Sequence, residues 1–198
     1  MSKGRLEAFS DGVLAIVITI MVLELRPPEG TTFEDLFALW PQILAYAMSF
    51  AYIAIYWVNH HHLFQAVRAV NGIVLWANIL LLFALSLVPF VTAWMGEHAF
   101  GPNTVAVYNF VLILPALSYT LLVQALLRAP GQSATLAEAL ADNRKGQLSL
   151  LLYLIALAVS LFVPLVAVAI DVIVAITWIV PDPRIERRLN EQREETAH

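Results

Sequence analysis

The chain has 198 residues, 60% of them hydrophobic and 13% charged, with a formal net charge of −4. Soluble domains run at about 45–50% apolar and about 25% charged, so this composition excludes an ordinary soluble enzyme, a disordered regulator and a nucleic-acid-binding module. Cysteine is absent, which excludes disulfides, thiolate catalysis and zinc thiolate sites. A membrane helix takes roughly 20 apolar residues. Six of them would use about 120 residues, close to the whole hydrophobic content here. The composition predicts one all-α integral membrane domain with short loops.

The first apolar segment runs from about Leu6 to Leu25. Glu7 and Asp11 stand ahead of its apolar stretch. Glu24-Leu25-Arg26-Pro27-Pro28 follows with no small-residue cleavage site, so it reads as a mature helix and not as a signal peptide. Thr32-Phe33-Glu34-Asp35 resembles a capping box opening the second helix, which runs from Trp40 to Val58. Trp40 suits a membrane interface. A third span covers Gly72 to Met95, and a fourth Val105 to Leu127. Then comes an uninterrupted run of 33 residues, Leu148 to Val180. One span needs only about 20, and Pro164 disfavours helix in the residue before it. The run divides there into spans 148–162 and 164–180. Pro89 and Pro115 are further candidate kinks. Residues 1–181 thus read as a six-helix transmembrane domain and 182–198 as a charged cytoplasmic tail, either a short helix or disordered.

Charge supports the six-span count. Lys and Arg collect on the cytoplasmic side of membrane proteins. Six spans place Lys3, Arg5, Arg68, Arg128, Arg144, Lys145, Arg184, Arg187, Arg188 and Arg193 on one side, ten of the eleven basic residues. The other side receives Arg26 with Glu29, Glu34, Asp35 and Glu97. Five spans would put the tail arginines outside. Both termini are therefore expected in the cytoplasm.

Ionisable groups inside a span are expensive and mark candidate sites. Asp11 sits at the cytoplasmic start of the first helix, where the helix dipole favours a carboxylate. The second helix ends in Trp57-Val58-Asn59-His60-His61-His62. Neighbours on a helix diverge by about 100°, so three successive imidazoles do not converge on one ion. Neither a metal site nor a cofactor is expected. One or two of these imidazoles, with Asn59, are instead expected to bond inward to Ser10 or Asp11. Asn78 in the third span reads as an interhelical hydrogen-bonding residue. Asp171 lies near the middle of the sixth span, where it would either carry protons or, protonated, cap a buried hydroxyl.

Between Asp11 and Glu24 the first helix is apolar except for Thr19. Ile16, Thr19 and Leu23 fall within about 60° of one another on a helical wheel, and Asp11 lies about 140° from Ile16. If Asp11 turns inward, that stripe faces lipid or another copy of itself. Spacing does not choose between them. No Thr-Val-Gly-Tyr-Gly filter and no helix of spaced arginines is present.

The motif Arg5-x-x-x-Phe9-Ser10-Asp11, with Gly12 through Leu25, Trp57-Val58-Asn59-His60-His61, Trp76-Ala77-Asn78 and Pro89, resembles the transmembrane protein 175 family of potassium channels. The resemblance covers the chain as one six-helix unit, like the prokaryotic form. It implies a homotetramer in the plasma membrane that passes potassium ions, not an enzyme. It also implies a central pore lined by the first helices, with apolar rings acting as a hydrophobic gate. By position from the motif, Ile16, Thr19 and Leu23 would line that pore. Arg5, Phe9, Ser10 and Asp11 would belong to a cytoplasmic-side network holding the first helix, with Asn59, His60 and Asn78 as candidate partners. Two other readings use the same residues. One is a proton- or ion-coupled secondary transporter relaying through Asp11, His60 and Asp171. The other is an intramembrane hydrolase with Ser10 as nucleophile beside His60 and Asp11; Ser10 lacks the Gly-rich elbow such chemistry uses.

Overall fold

A computed structural model describes residues 2–65, 67, 69–129 and 144–179. These form helices α1 (Lys3–Leu23), α2 (Phe33–Phe37), α3 (Trp40–Gln65), α4 (Gly72–Ser86), α5 (Val88–Glu97), α6 (Pro102–Leu127), α7 (Arg144–Ser160) and α8 (Pro164–Ile179). The expected tail at 182–198 and the basic residues Arg68, Arg184, Arg187, Arg188 and Arg193 lie outside the described residues.

Four stretches are long and apolar enough to cross a membrane: α1, α3, α4 continued by α5, and α6. At about 1.5 Å per residue, the 21 residues of α1 match a hydrocarbon core of about 30 Å. The final apolar run is two helices, α7 and α8, of 17 and 16 residues. The break falls where expected. α7 ends at Ser160, and Pro164 opens α8, the helix position at which a missing N–H costs nothing.

Local chemistry sets the other boundaries. Thr32 and Asp35 do form a reciprocal cap: the Asp35 N–H donates to Thr32 Oγ1 at 3.2 Å, and the Thr32 N–H donates to Asp35 Oδ2 at 3.0 Å. That cap opens the short helix α2, however, and α3 begins separately at Trp40. Asn71 caps α4 by accepting from the Val74 N–H at 3.0 Å. The third span is broken at Leu87, two residues before Pro89, because proline supplies no donor to the carbonyl four residues back. Pro115 sits inside α6 without ending it.

Packing divides the bundle. α1 lies against α3, α4 and α5, while α6 packs on α4 and α7, and α7 on α8. α3 and α5 approach most closely at Gly96, where an added Cβ would stand 2.9 Å from the Gln42 Cα. The core draws on every long helix, with Leu14, Ile53, Leu81, Met95, Leu112 and Val174 fully enclosed. Phe83, Trp76 and Phe110 face outward, as a lipid-facing surface requires.

Candidate functional site

The first helix has two unlike faces. Leu6, Ser10, Leu14, Val17 and Met21 recur at three- and four-residue spacing and are all buried against α3, α4 and α5. Ile16, Thr19 and Leu23 centre about 150° away from that row, on the side that no other described helix covers. Ile16 is 59% exposed and Leu23 77%. Thr19 is exposed as well, and its hydroxyl donates to the Ile16 carbonyl at 2.9 Å. Its single hydrogen is therefore spent on its own helix, and the oxygen presents lone pairs outward.

The buried face is held by a chain of hydrogen bonds whose direction is forced. Ser10 Oγ donates to the Leu6 carbonyl at 2.9 Å, which uses its only hydrogen. Its oxygen accepts from Asn78 Nδ2 at 2.9 Å. Asn78 must then turn Oδ1 to its other partner, His60 Nε2, at 2.8 Å. The Nε2 atom therefore carries a hydrogen. This fixes the His60 tautomer from a carbonyl three bonds away. The three side chains are at most 3% exposed and join α1, α4 and α3.

Asp11 lies on the flank between the two faces and is exposed. The imidazole contact expected of it is not made; Asp11 accepts instead from Trp57 Nε1 at 2.9 Å. Trp57 in turn stacks on His61, centroids 5.9 Å apart and planes 22° apart, and His61 accepts from Gln65. The sequence placed Trp57 in the motif without assigning it a partner. An indole N–H at the same depth as a carboxylate was the available signal.

Other expected members of the network sit elsewhere. Asn59 Nδ2 donates to the Ile55 carbonyl of its own helix at 2.8 Å, and the Asn59 carbonyl accepts from Tyr119. Arg5 and Phe9 are exposed, and the side chain of Arg5 makes no ion pair among the described residues. Ser10 touches no base directly, since Asn78 stands between it and His60. That arrangement does not make a nucleophile. Asp11 bonds to Trp57 and His60 to Asn78, while the Asp171 carboxyl oxygens bond to nothing among the described residues. No hydrogen bond joins the three members of the imagined proton relay.

A second polar cluster went unread in the sequence. Ser49 of α3, Thr92 of α5 and Tyr108 of α6 are buried and bonded, Ser49 to Tyr108 at 2.9 Å and to Thr92 at 2.7 Å. Single hydroxyls in apolar runs carry no signal, because they bond their own backbone as readily as a neighbour.

The family model described as endosomal/lysosomal potassium channel TMEM175 matches residues 5–89, the stretch that holds both faces of α1 and all three members of its buried chain of bonds. A potassium channel from Chryseobacterium sp. (strain P1-3) is 50% identical over 191 residues, covering 96% of this chain and 100% of its own. The mouse endosomal/lysosomal proton channel TMEM175 is 39% identical over 92 residues, 40% of this chain and 18% of that one. The crystal structure of a lysosomal potassium-selective channel TMEM175 homolog from Chamaesiphon minutus matches with a TM-score of 0.78 and 33% identity, over 89% of this chain and 96% of that one. With one relative matched end to end and a solved structure sharing its helices, the chain belongs to the TMEM175 family of multi-pass potassium channels.

Proposed function

We propose that this chain is a potassium-selective channel of the plasma membrane, built as a homotetramer of six-span subunits with cytoplasmic termini. The first helices line its pore. The observation that carries this reading is the division of α1 into an anchored face and an unpartnered one. A helix at the edge of its own subunit, bonded through Ser10 and Asp11, is held in one rotation. Ile16, Thr19 and Leu23 then all point to the same outside space. A four-fold axis there would repeat each residue as a ring.

The rings have different work. Rings of Ile16 and Leu23 are apolar constrictions that stop ions by dewetting until they widen. A Thr19 ring offers oxygen lone pairs, because its hydrogens are tied to the Ile16 carbonyls. Such oxygens replace part of a cation's hydration shell, which favours the ion that loses water more cheaply, potassium over sodium. Ser10, Asn78 and His60, with Asp11 on Trp57, are positioning residues that keep the stripe aimed.

Purified protein in liposomes tests the reading. Potassium flux should exceed sodium flux, rise with concentration without saturating as a carrier does, and need no proton gradient. Saturating, proton-coupled flux would replace the channel with a transporter.

A further inference from the structure

Asp171 is the eighth residue of α8, only 5% exposed, and belongs to none of the groups that hold or form the α1 stripe. Neither of its carboxyl oxygens has a hydrogen-bond partner. Asn109 of α6 stands beside it. That amide is fully buried, gives one of its two Nδ2 hydrogens to the Val105 carbonyl at 3.1 Å, and leaves its own Oδ1 without a partner. The other titratable groups facing Asp171 are Tyr108 of α6 and Tyr153 of α7. From α3, Ser49 and Tyr52 close the same region through Tyr108 and the Leu112 carbonyl. No cationic side chain among the described residues acts on the carboxyl group.

The hydroxyls of Thr92, Ser49, Tyr108 and Tyr52 do not supply the missing hydrogens. Thr92 Oγ1 lies 2.7 Å from both the Val88 carbonyl and Ser49 Oγ. A carbonyl only accepts. Both contacts are satisfied together when Thr92 donates to Val88 and Ser49 donates to Thr92. Tyr108 must then donate to Ser49, and it turns a lone pair to the surrounding space. Tyr52 likewise spends its hydrogen on the Leu112 carbonyl at 2.9 Å. These four hydroxyls have no hydrogen left for the carboxyl group. An ionised carboxylate would put a buried charge here with no cation and no bonded donor among the described residues to offset the loss of water.

We propose that Asp171 is a proton-binding site, with the carboxyl group held inside each subunit as the uncharged acid. One proton removes the charge and gives the carboxyl group a hydrogen to donate, with the unpartnered Asn109 Oδ1 as a nearby acceptor. The site is separate from the α1 stripe, so its occupancy is a property of the α6–α7–α8 half of the subunit. Loss of the proton would leave a bare charge between these helices and loosen α8 from its neighbours.

Infrared difference spectroscopy on the full chain, wild type against Asp171→Asn, tests this. At neutral pH the wild type should show the carbonyl stretch of a protonated carboxylic acid, shifted in deuterium oxide and missing from the variant. Thermal unfolding gives a second measure. The unfolded chain releases this proton above about pH 4, while the native chain keeps it. Raising the pH from there should therefore lower the wild-type midpoint relative to Asp171→Asn. If Asp171→Asn does not assemble, Asp171→Glu keeps the acid and should move the band. A wild type with no such band overturns the proposal. So does a band common to both proteins, or a midpoint that follows potassium or sodium and not pH. The last result would mark an ionised carboxylate that binds a metal cation.

Discussion

Two hydroxyls about two and a half turns apart, Ser10 and Thr19, do opposite jobs on α1. Both donate backward to their own helix, Ser10 to Leu6 and Thr19 to Ile16. Only Ser10 also receives a bond, from Asn78. Ser10→Ala should leave the Asn78 amide without an acceptor inside the membrane, at a cost of about 1–3 kcal/mol. A lower unfolding midpoint in detergent would register it. Thr19→Val removes a hydroxyl whose partner among the described residues is the Ile16 carbonyl of its own helix. The midpoint should hold, while the preference for potassium over sodium falls several-fold toward unity in planar bilayers. Unchanged ion ratios in that variant would mean that the hydroxyl serves only its own backbone. Ile16→Asn should do the reverse, wetting an apolar ring and raising leak for several cations.

At the scale of elements, short helices and close contacts govern how the spans are spaced. The cap between Thr32 and Asp35 starts α2 on the side away from the Ser10 network. Bonds from the Thr32 hydroxyl and N–H hold the Asp35 carboxyl below its usual range. A depressed carboxylate stabilises above its unfolded value and loses that contribution as pH falls through the folded one. Hydrogen exchange at the α2 amides should therefore be slower in wild type than in Asp35→Ala at neutral pH, and the two should converge in acid. Gly96 governs a different spacing. With Gln42 Cα 2.9 Å from where its Cβ would be, Gly96→Leu forces α3 and α5 apart. Overpacking of this kind costs about 1–3 kcal/mol, again readable as a midpoint. It should also disturb the seat of α1, which rests on both helices.

The whole molecule has its candidate conducting face at one edge. α1 turns its stripe away from the α6–α8 half of the subunit, which carries Asp171 and its own polar interior. On the proposed pore, a monomer would expose Ile16 and Leu23 to lipid and conduct nothing. Cross-linking in membranes should therefore capture tetramers, and a variant that is monomeric should fold but pass no current. Reporter fusions should place both termini in the cytoplasm, as the ten-to-one division of basic residues requires. An external C-terminus would mean that the Leu148–Val180 run crosses once.

Composition and periodicity were sufficient for much of this. Apolar run lengths set the helices, Pro164 divided the last run, and helical arithmetic put Ile16, Thr19 and Leu23 on one face, because these follow from local sterics and the membrane's thickness alone. The motif also singled out Ser10, Asp11, His60 and Asn78. Which of these touch was decided only by tertiary structure. Asp11 and His60 lie at similar depth, yet rotation about α3 gives Trp57 to the carboxylate and the imidazole to Asn78. Rotation likewise turned Asn59 toward its own helix and left the Asp171 carboxyl without a hydrogen-bond partner among the described residues. Depth along a helix can be read from sequence position. The azimuth of a side chain toward another helix depends on how two helices cross, and that is set by the packing of residues far apart in the chain.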